Sequence, residues 1–140
     1  MAVFIPRNRK YLKSFKFVRS MGFVALRKEL LYSGCAGVQA DGPGALTSNQ
    51  MEAVRRALVR FLRPYSGNLY LYTFASLPLT HKPVEVRMGK GKGGVQKWVQ
   101  RVQKGRLLLE VGGVALPVAL RACEFARVRL GVKTRVIFRR

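Results

Sequence analysis

Apolar and polar positions along the chain change period several times, and each change marks an element. Thr47-Ser48-Asn49-Gln50 has the hydroxyl-x-x-Gln spacing of a capping box, in which two side chains satisfy each other's exposed backbone N–H groups, so a helix is predicted to start there. Met51, Val54, Leu58, Phe61 and Leu62 follow on one face at three- and four-residue spacing. Arg56, Arg60 and Arg63, with Arg55 beside them, fall on another, and Pro64 stops the run. Residues 68–74 alternate Leu69, Leu71 and Thr73 with Tyr70, Tyr72 and Phe74, which predicts a strand buried on both faces. Residues 83–88 alternate less cleanly as a second strand. Residues 95–102 place Gln96, Trp98, Gln100 and Val102 opposite Val95, Lys97, Val99 and Arg101, and residues 106–111 form a further strand closed by Gly112-Gly113.

A second helix is expected over 116–130, with Pro117 in its first turn. Its small residues Ala119, Ala122, Cys123 and Ala126, with Leu130, suit close packing on a sheet, so Cys123 reads as a small buried hydrophobe and not a reactive thiol. Gly131 fits the C-terminus of that helix, and residues 132–138 return as a last strand. Helix, several strands, helix and strand make an α+β fold: a single domain with a mixed or antiparallel sheet, two main helices, a basic N-terminal arm over 1–28 and a glycine-rich hairpin loop. The domain proper spans 29–140.

Charge changes this ordinary picture. The chain carries 27 Lys and Arg against 6 Asp and Glu, a net +21 over 140 residues, yet 49% of its residues are hydrophobic. A disordered basic tail lacks that apolar share, so a core lies under a strongly positive surface, and the partner is an extended polyanion or an anionic surface. The charge is blocky. Residues 1–28 hold Arg7, Arg9, Lys10, Lys13, Lys16, Arg19, Arg27 and Lys28 with no acid, and residues 82–106 hold eight cations against Glu85 alone. Residues 64–81 have no Lys, Arg, Asp or Glu and read as core. Organelle transit peptides share the composition of the first block, but an arm that orders on its partner is the favoured reading.

Enzymatic readings find little support. Gly89, Gly91 and Gly94 satisfy a dinucleotide fingerprint literally, but the next residues alternate as a strand where a helix N-terminus must hold the pyrophosphate. Gly94 is followed by Val95-Gln96, so the mononucleotide loop fails too. His81 is the one histidine, with no acid near it in sequence, and the two cysteines cannot complete a zinc site. No cofactor and no metal is expected. What the loop offers is backbone free to approach phosphates, with Arg87, Lys90 and Lys92 as cations.

Four motifs in order then resemble one family. Leu46-Thr47 with Gln50-Met51-Glu52-Ala53-Val54-Arg55-Arg56-Ala57, Leu77-Pro78-Leu79-Thr80-His81-Lys82-Pro83, Arg87-Met88-Gly89-Lys90-Gly91-Lys92-Gly93 and Trp98-Val99 are similar to the bacterial-type large-subunit ribosomal protein numbered sixteen. The resemblance runs over about 6–138, with Gly112-Gly113-Val114 and Val132-Lys133-Thr134 matching toward the end. It implies an rRNA-binding α+β domain near the base of the central protuberance that positions RNA and is no catalyst. The loop Arg87, Met88, Gly89, Lys90, Gly91, Lys92 and Gly93 would reach the tRNA-accepting site. Arg9, Lys10, Lys13, Arg55, Arg56, Arg60, Lys82 and Lys133 would hold rRNA. Neighbouring ribosomal proteins are further partners; a membrane partner and homo-oligomerisation are not expected, although a basic membrane-surface protein is the competing class.

The first 45 residues depart from the family pattern: Leu12, Phe15, Phe17 and Val18 interrupt the arm, and Cys35, Asp41 and Pro43 are unusual. Such apolar drift reads as an organellar member, mitochondrial in preference to plastid or bacterial. Because the match begins near Pro6, a removable targeting peptide is not expected, which points to synthesis inside the organelle.

Overall fold

The computed structural model describes residues 5, 6, 8–15 and 31–139. The elements are β1 (Ala36–Ala40), β2 (Gly44–Thr47), α1 (Ser48–Leu62), β3 (Asn68–Leu71), β4 (Leu77–His81), β5 (Gly94–Val102), β6 (Leu107–Gly112), α2 (Leu116–Arg129) and β7 (Thr134–Phe138). They form two antiparallel sheets, ordered β3-β6-β1-β7 and β2-β5-β4. The α+β class holds, with two sheets where one was expected. Most of the arm proposed for 1–28 lies outside the described residues.

The capping box forms as the spacing predicts. Gln50 N–H donates to Thr47 Oγ1 and Thr47 N–H donates to Gln50 Oε1 at 2.9 Å. Met51, Val54, Leu58 and Leu62 are buried, while Phe61 is half-buried and stacks on Phe125 of α2 at 6.0 Å between ring centroids. Pro64 ends the α-helix by tightening it into a single 3-10 turn, Arg63–Tyr65.

The centre of the larger sheet is β1, Ala-Gly-Val-Gln-Ala, buried at every residue. Residues directly opposite in antiparallel strands share a face. Ala36, Val38 and Ala40 therefore lie with Leu109 and Val111 of β6, and with Leu69 and Leu71 of β3 beyond, in one cluster with Ala119, Ala122, Cys123 and Ala126 of α2. Small residues on both the strand and the helix let their backbones approach closely. Burial pushes the Cys123 thiol up to about 12, so it stays a neutral apolar filler.

The opposite face of β1 and β6 is polar and equally buried. Gln39 Nε2 donates to the Gly105 carbonyl at 2.6 Å, and Arg135 donates to Gln39 Oε1 through Nε at 2.9 Å and Nη2 at 2.6 Å. Glu110, with no exposed surface, accepts the backbone N–H groups of Tyr32 at 2.7 Å, Ser33 at 2.9 Å and Gly34 at 2.7 Å. Gly34 is forced by this contact: a Cβ there would lie 2.7 Å from the Val111 carbonyl oxygen and 2.8 Å from Glu110 Cβ.

Three expectations need correction. Residues 68–74 do not form a doubly buried strand: β3 is a four-residue edge strand with half-buried side chains, and Phe74 is 45% exposed, because β1 takes the central place. The strand expected over 83–88 is Leu77–His81 instead. Pro83 lacks a ladder N–H, whereas Pro78 is tolerated because β4 lies at a sheet edge. Gly131 is not a left-handed helix cap, since α2 ends at Leu130 in extended conformation; it clears space for the capping-box side chain, a Cβ there meeting Gln50 Nε2 at 2.6 Å.

Glu110→Ala is expected to cost about 2–4 kcal/mol, since hydrogen bonds to a charged acceptor contribute about 1.5–3 kcal/mol each and the Tyr32 and Ser33 donors are exposed and regain water, while the Gly34 N–H is left buried without its acceptor. Urea denaturation should show a lower midpoint at unchanged slope; an unchanged midpoint would mean that the turn is not held by this carboxylate.

Candidate nucleic-acid interface

The two charge blocks meet in space through contacts that span 78 and 79 residues of sequence. Lys13 Nζ donates to the Lys92 carbonyl at 2.9 Å, and Lys92 Nζ donates in return to the Ser14 carbonyl. Lys92 Nζ also lies 5.9 Å from the Phe15 ring centroid, and the Arg9 guanidinium stands over Trp98 of β5 at 5.4 Å. Cation–π contacts of this kind are worth about 0.5–1 kcal/mol at exposed sites. Residues 9–15 are thus clasped along the loop and β5, bringing Arg9 and Lys13 to the side of the loop that holds Lys82 and Lys92, in one basic patch.

Within the patch the cations differ in availability. Lys82 Nζ donates to the Gly89 carbonyl and braces the loop. Lys92 is committed to the arm. The tip between them takes three successive positive φ angles, 98° at Gly89, 52° at Lys90 and 84° at Gly91. A Cβ at either glycine would meet nothing within 4 Å, so these glycines are required by backbone sign and not by crowding. Lys90 pays the strain of a left-handed non-glycine residue and is left projecting with Arg87 and the 95% exposed Met88. The loop feeds directly into β5 and not into a helix, so it has no helix N-terminus for a pyrophosphate.

Two of the α1 arginines expected to hold rRNA are shared with Glu52. Arg55 grips Glu52 with two bonds, Nε at 2.9 Å and Nη2 at 2.7 Å, and Arg56 Nε adds a third at 2.8 Å. The Arg55 hydrogen bond, aided by Arg56 and opposed by burial, holds the Glu52 carboxyl down to about 2. The trio therefore presents one net positive charge; Arg60 is exposed one turn on. Lys133 lies on neither surface. It stands 3.8 Å from Asp41, which Lys104 also approaches at 4.0 Å.

Cationic groups missed from sequence include Arg101 and Arg106, which line a cleft between the sheets, and Arg129, whose guanidinium lies 3.5 Å from the Phe125 ring centroid. The Phe125–Arg129 pair was legible as an i, i+4 spacing on one helix face. His81 is exposed at the end of β4. Among the described residues no cluster of three metal-ligating side chains occurs, and no helix is long and apolar enough to cross a membrane.

Residues 6–137 match the family described as Ribosomal protein L16p/L10e. The chain belongs to that family. It is 41% identical over 134 residues to the large ribosomal subunit protein uL16 of Bartonella quintana (strain Toulouse), covering 96% of both chains. It is 42% identical over 134 residues to the uL16 of Erythrobacter litoralis (strain HTCC2594), covering 96% of this chain and 91% of that one. A third uL16, from Hyphomonas neptunium (strain ATCC 15444), is 39% identical over 137 residues, covering 96% and 95%. Membership places the chain among structural ribosomal proteins and outside the enzymes.

The depressed Glu52 carboxyl has a signed consequence. Its folded-state value lies below its ordinary 4.5, so the stabilisation is fully present above pH 4.5 and is lost as pH falls toward 2. Glu52→Gln should remove about 1 kcal/mol at pH 7, the upper range for partly exposed pairs, and the gap from the parent should close by pH 2 in denaturant titrations. A gap that persists at pH 2 would assign the loss to packing.

Proposed function

We propose that this protein is a structural constituent of the large ribosomal subunit, binding its rRNA through the arm, the loop base and the α1 face, and presenting Arg87 and Lys90 at the tRNA-accepting site. The observation that carries this reading is the clasp of arm and glycine loop into one basic patch whose tip projects with Lys90 in a left-handed conformation. Family membership and the similarity to uL16 proteins support the ribosomal setting. The proposed rRNA set is Arg9, Lys10, Lys13, Arg55, Arg56, Arg60 and Lys82 on these surfaces, with Lys133 apart from them beside Asp41. The clasp divides the loop by role, with Lys82 and Lys92 shaping it and Lys90 meeting the partner. The apolar residues that interrupt the basic arm favour a mitochondrial ribosome, and peptides of this chain in large subunits purified from mitochondria test that setting.

Log affinity of the chain for an rRNA fragment should fall with log salt at a slope of at least about 3, since about 0.9 is expected per phosphate neutralised on duplex. A flat response between low and moderate salt contradicts the reading. Lys90→Ala should weaken tRNA binding to reconstituted subunits severalfold while leaving assembly and melting unchanged, because an exposed charge contributes little to folding. Lys92→Ala should instead speed hydrogen exchange in the arm. Equal effects of the two variants on assembly would make the loop an rRNA anchor.

A further inference from the structure

The seam between the two sheets holds a cleft that neither the basic patch nor the α1 face uses. The segment after β3 crosses from one sheet to the other, and Phe74 N–H is held by Gln100 Oε1 of β5. The crossing leaves a cleft of about 440 Å³ lined by Tyr72, Phe74, Leu77, Gln100, Arg101 and Arg106. A cavity of that size falls in the range that takes a small organic ligand. Its chemistry is specific. Phe74, 45% exposed, offers a ring face at the cleft wall. Tyr72 lies beside it, its ring 5.8 Å from that of Tyr32, which is 65% exposed, so the aromatic surface continues past the mouth. Burial, the neighbouring Glu110 charge and a hydrogen bond to Glu110 push the Tyr72 phenol up, so it stays neutral with its hydroxyl committed to that carboxylate. Two guanidiniums line the same cleft and, among the described residues, no carboxylate does.

We propose that this cleft receives one unpaired nucleotide of single-stranded RNA, its base stacked on Phe74 and its phosphate held by Arg106. This rests on the RNA-binding reading above and deepens it. Aromatic faces beside cations are the common means of holding single-stranded nucleic acid, because every base has a π-face while the phosphate supplies the charge. A guanidinium fork matches phosphate oxygens in two parallel bonds. Gln100 spends its Oε1 on Phe74 N–H, which leaves its NH₂ to donate to a base edge. A duplex cannot use the site, since its bases are stacked inside the helix and present only edges.

Fluorescence anisotropy of the full chain with a labelled eight-nucleotide oligoadenylate and with a labelled RNA hairpin duplex tests this. Phe74→Ala should weaken oligoadenylate binding about tenfold, within the range for loss of one stacked base, and change duplex binding less than about twofold. Phe74→Trp should restore the single-strand affinity, which separates stacking from misfolding. Equal losses on both RNAs, or none on either, overturn the cleft assignment while leaving general RNA binding intact. Failure of the parent chain to bind either RNA overturns the RNA-binding reading itself. Ultraviolet cross-linking in reconstituted large subunits should join the peptide containing Phe74 to a nucleotide, and a chemical cross-link from that peptide to a neighbouring protein in its place would assign the cleft to a protein partner.

Discussion

A buried carboxylate organises the larger sheet. Glu110 sits inside β6 with no exposed surface and accepts three successive backbone N–H groups from residues 32–34. An isolated buried charge is expensive, and hydrogen-bonding partners must come to it. Here they come from the turn that leads into β1, so solvating the carboxylate and threading β1 between β6 and β7 are one event. The cost is a sequence restriction at Gly34, where no side chain fits, and the gain is a fixed starting point for the central strand. Gln39 repeats the device two residues beyond Gly37 on the same face, binding the Gly105 turn on one side and Arg135 of β7 on the other.

From that centre the remaining geometry follows by packing. The helix-facing side of β1 is made of small residues, which bring α2 close; α2 carries α1 against it through Phe61 and Phe125. Thr47 ends β2 and caps α1, so the smaller sheet and the first helix share one residue. The smaller sheet then aims the hairpin between β4 and β5 away from the core, where a Cβ at Gly89 or Gly91 would meet nothing within 4 Å. The cleft at the seam arises because the chain after β3 must leave one sheet for the other.

A surface with net +21 opposes its own folding, and the structure relieves this only in part. Glu52 neutralises one of the two α1 arginines it contacts, and Asp41 sits between two lysines. In the clasp, Lys13, Lys82 and Lys92 use backbone carbonyls as acceptors, which orient the ammonium groups without removing their charge. The uncompensated remainder is the electrostatic footprint of a phosphate-rich partner.

What the sequence determined by itself was whatever depends on neighbours along the chain. The capping box at Thr47 and Gln50, the apolar face of α1, the small stripe of α2 and the strand nature of 95–102 were legible because helix and strand periods put interacting residues at fixed short spacings. The glycine loop was legible as a probe because its glycines and cations are contiguous. The family resemblance, carried by those same segments, agrees with the match over residues 6–137. Missed were the elements defined by distant partners. β1 and β2, in a segment rich in glycine and alanine, have no amphipathic pattern, and the first is a strand only because Glu110 and α2 surround it. The placement of 69–71 at an edge, the joining of arm and loop, and the meeting of Arg101, Arg106 and Phe74 in one cleft were decided by tertiary structure, whereas the pairing of Arg55 and Arg56 with Glu52 follows from i, i+3 and i, i+4 spacing on α1. Contacts between residues tens of positions apart are set by which surfaces pack first and by where buried polar groups find partners, and neither quantity is written in local periodicity.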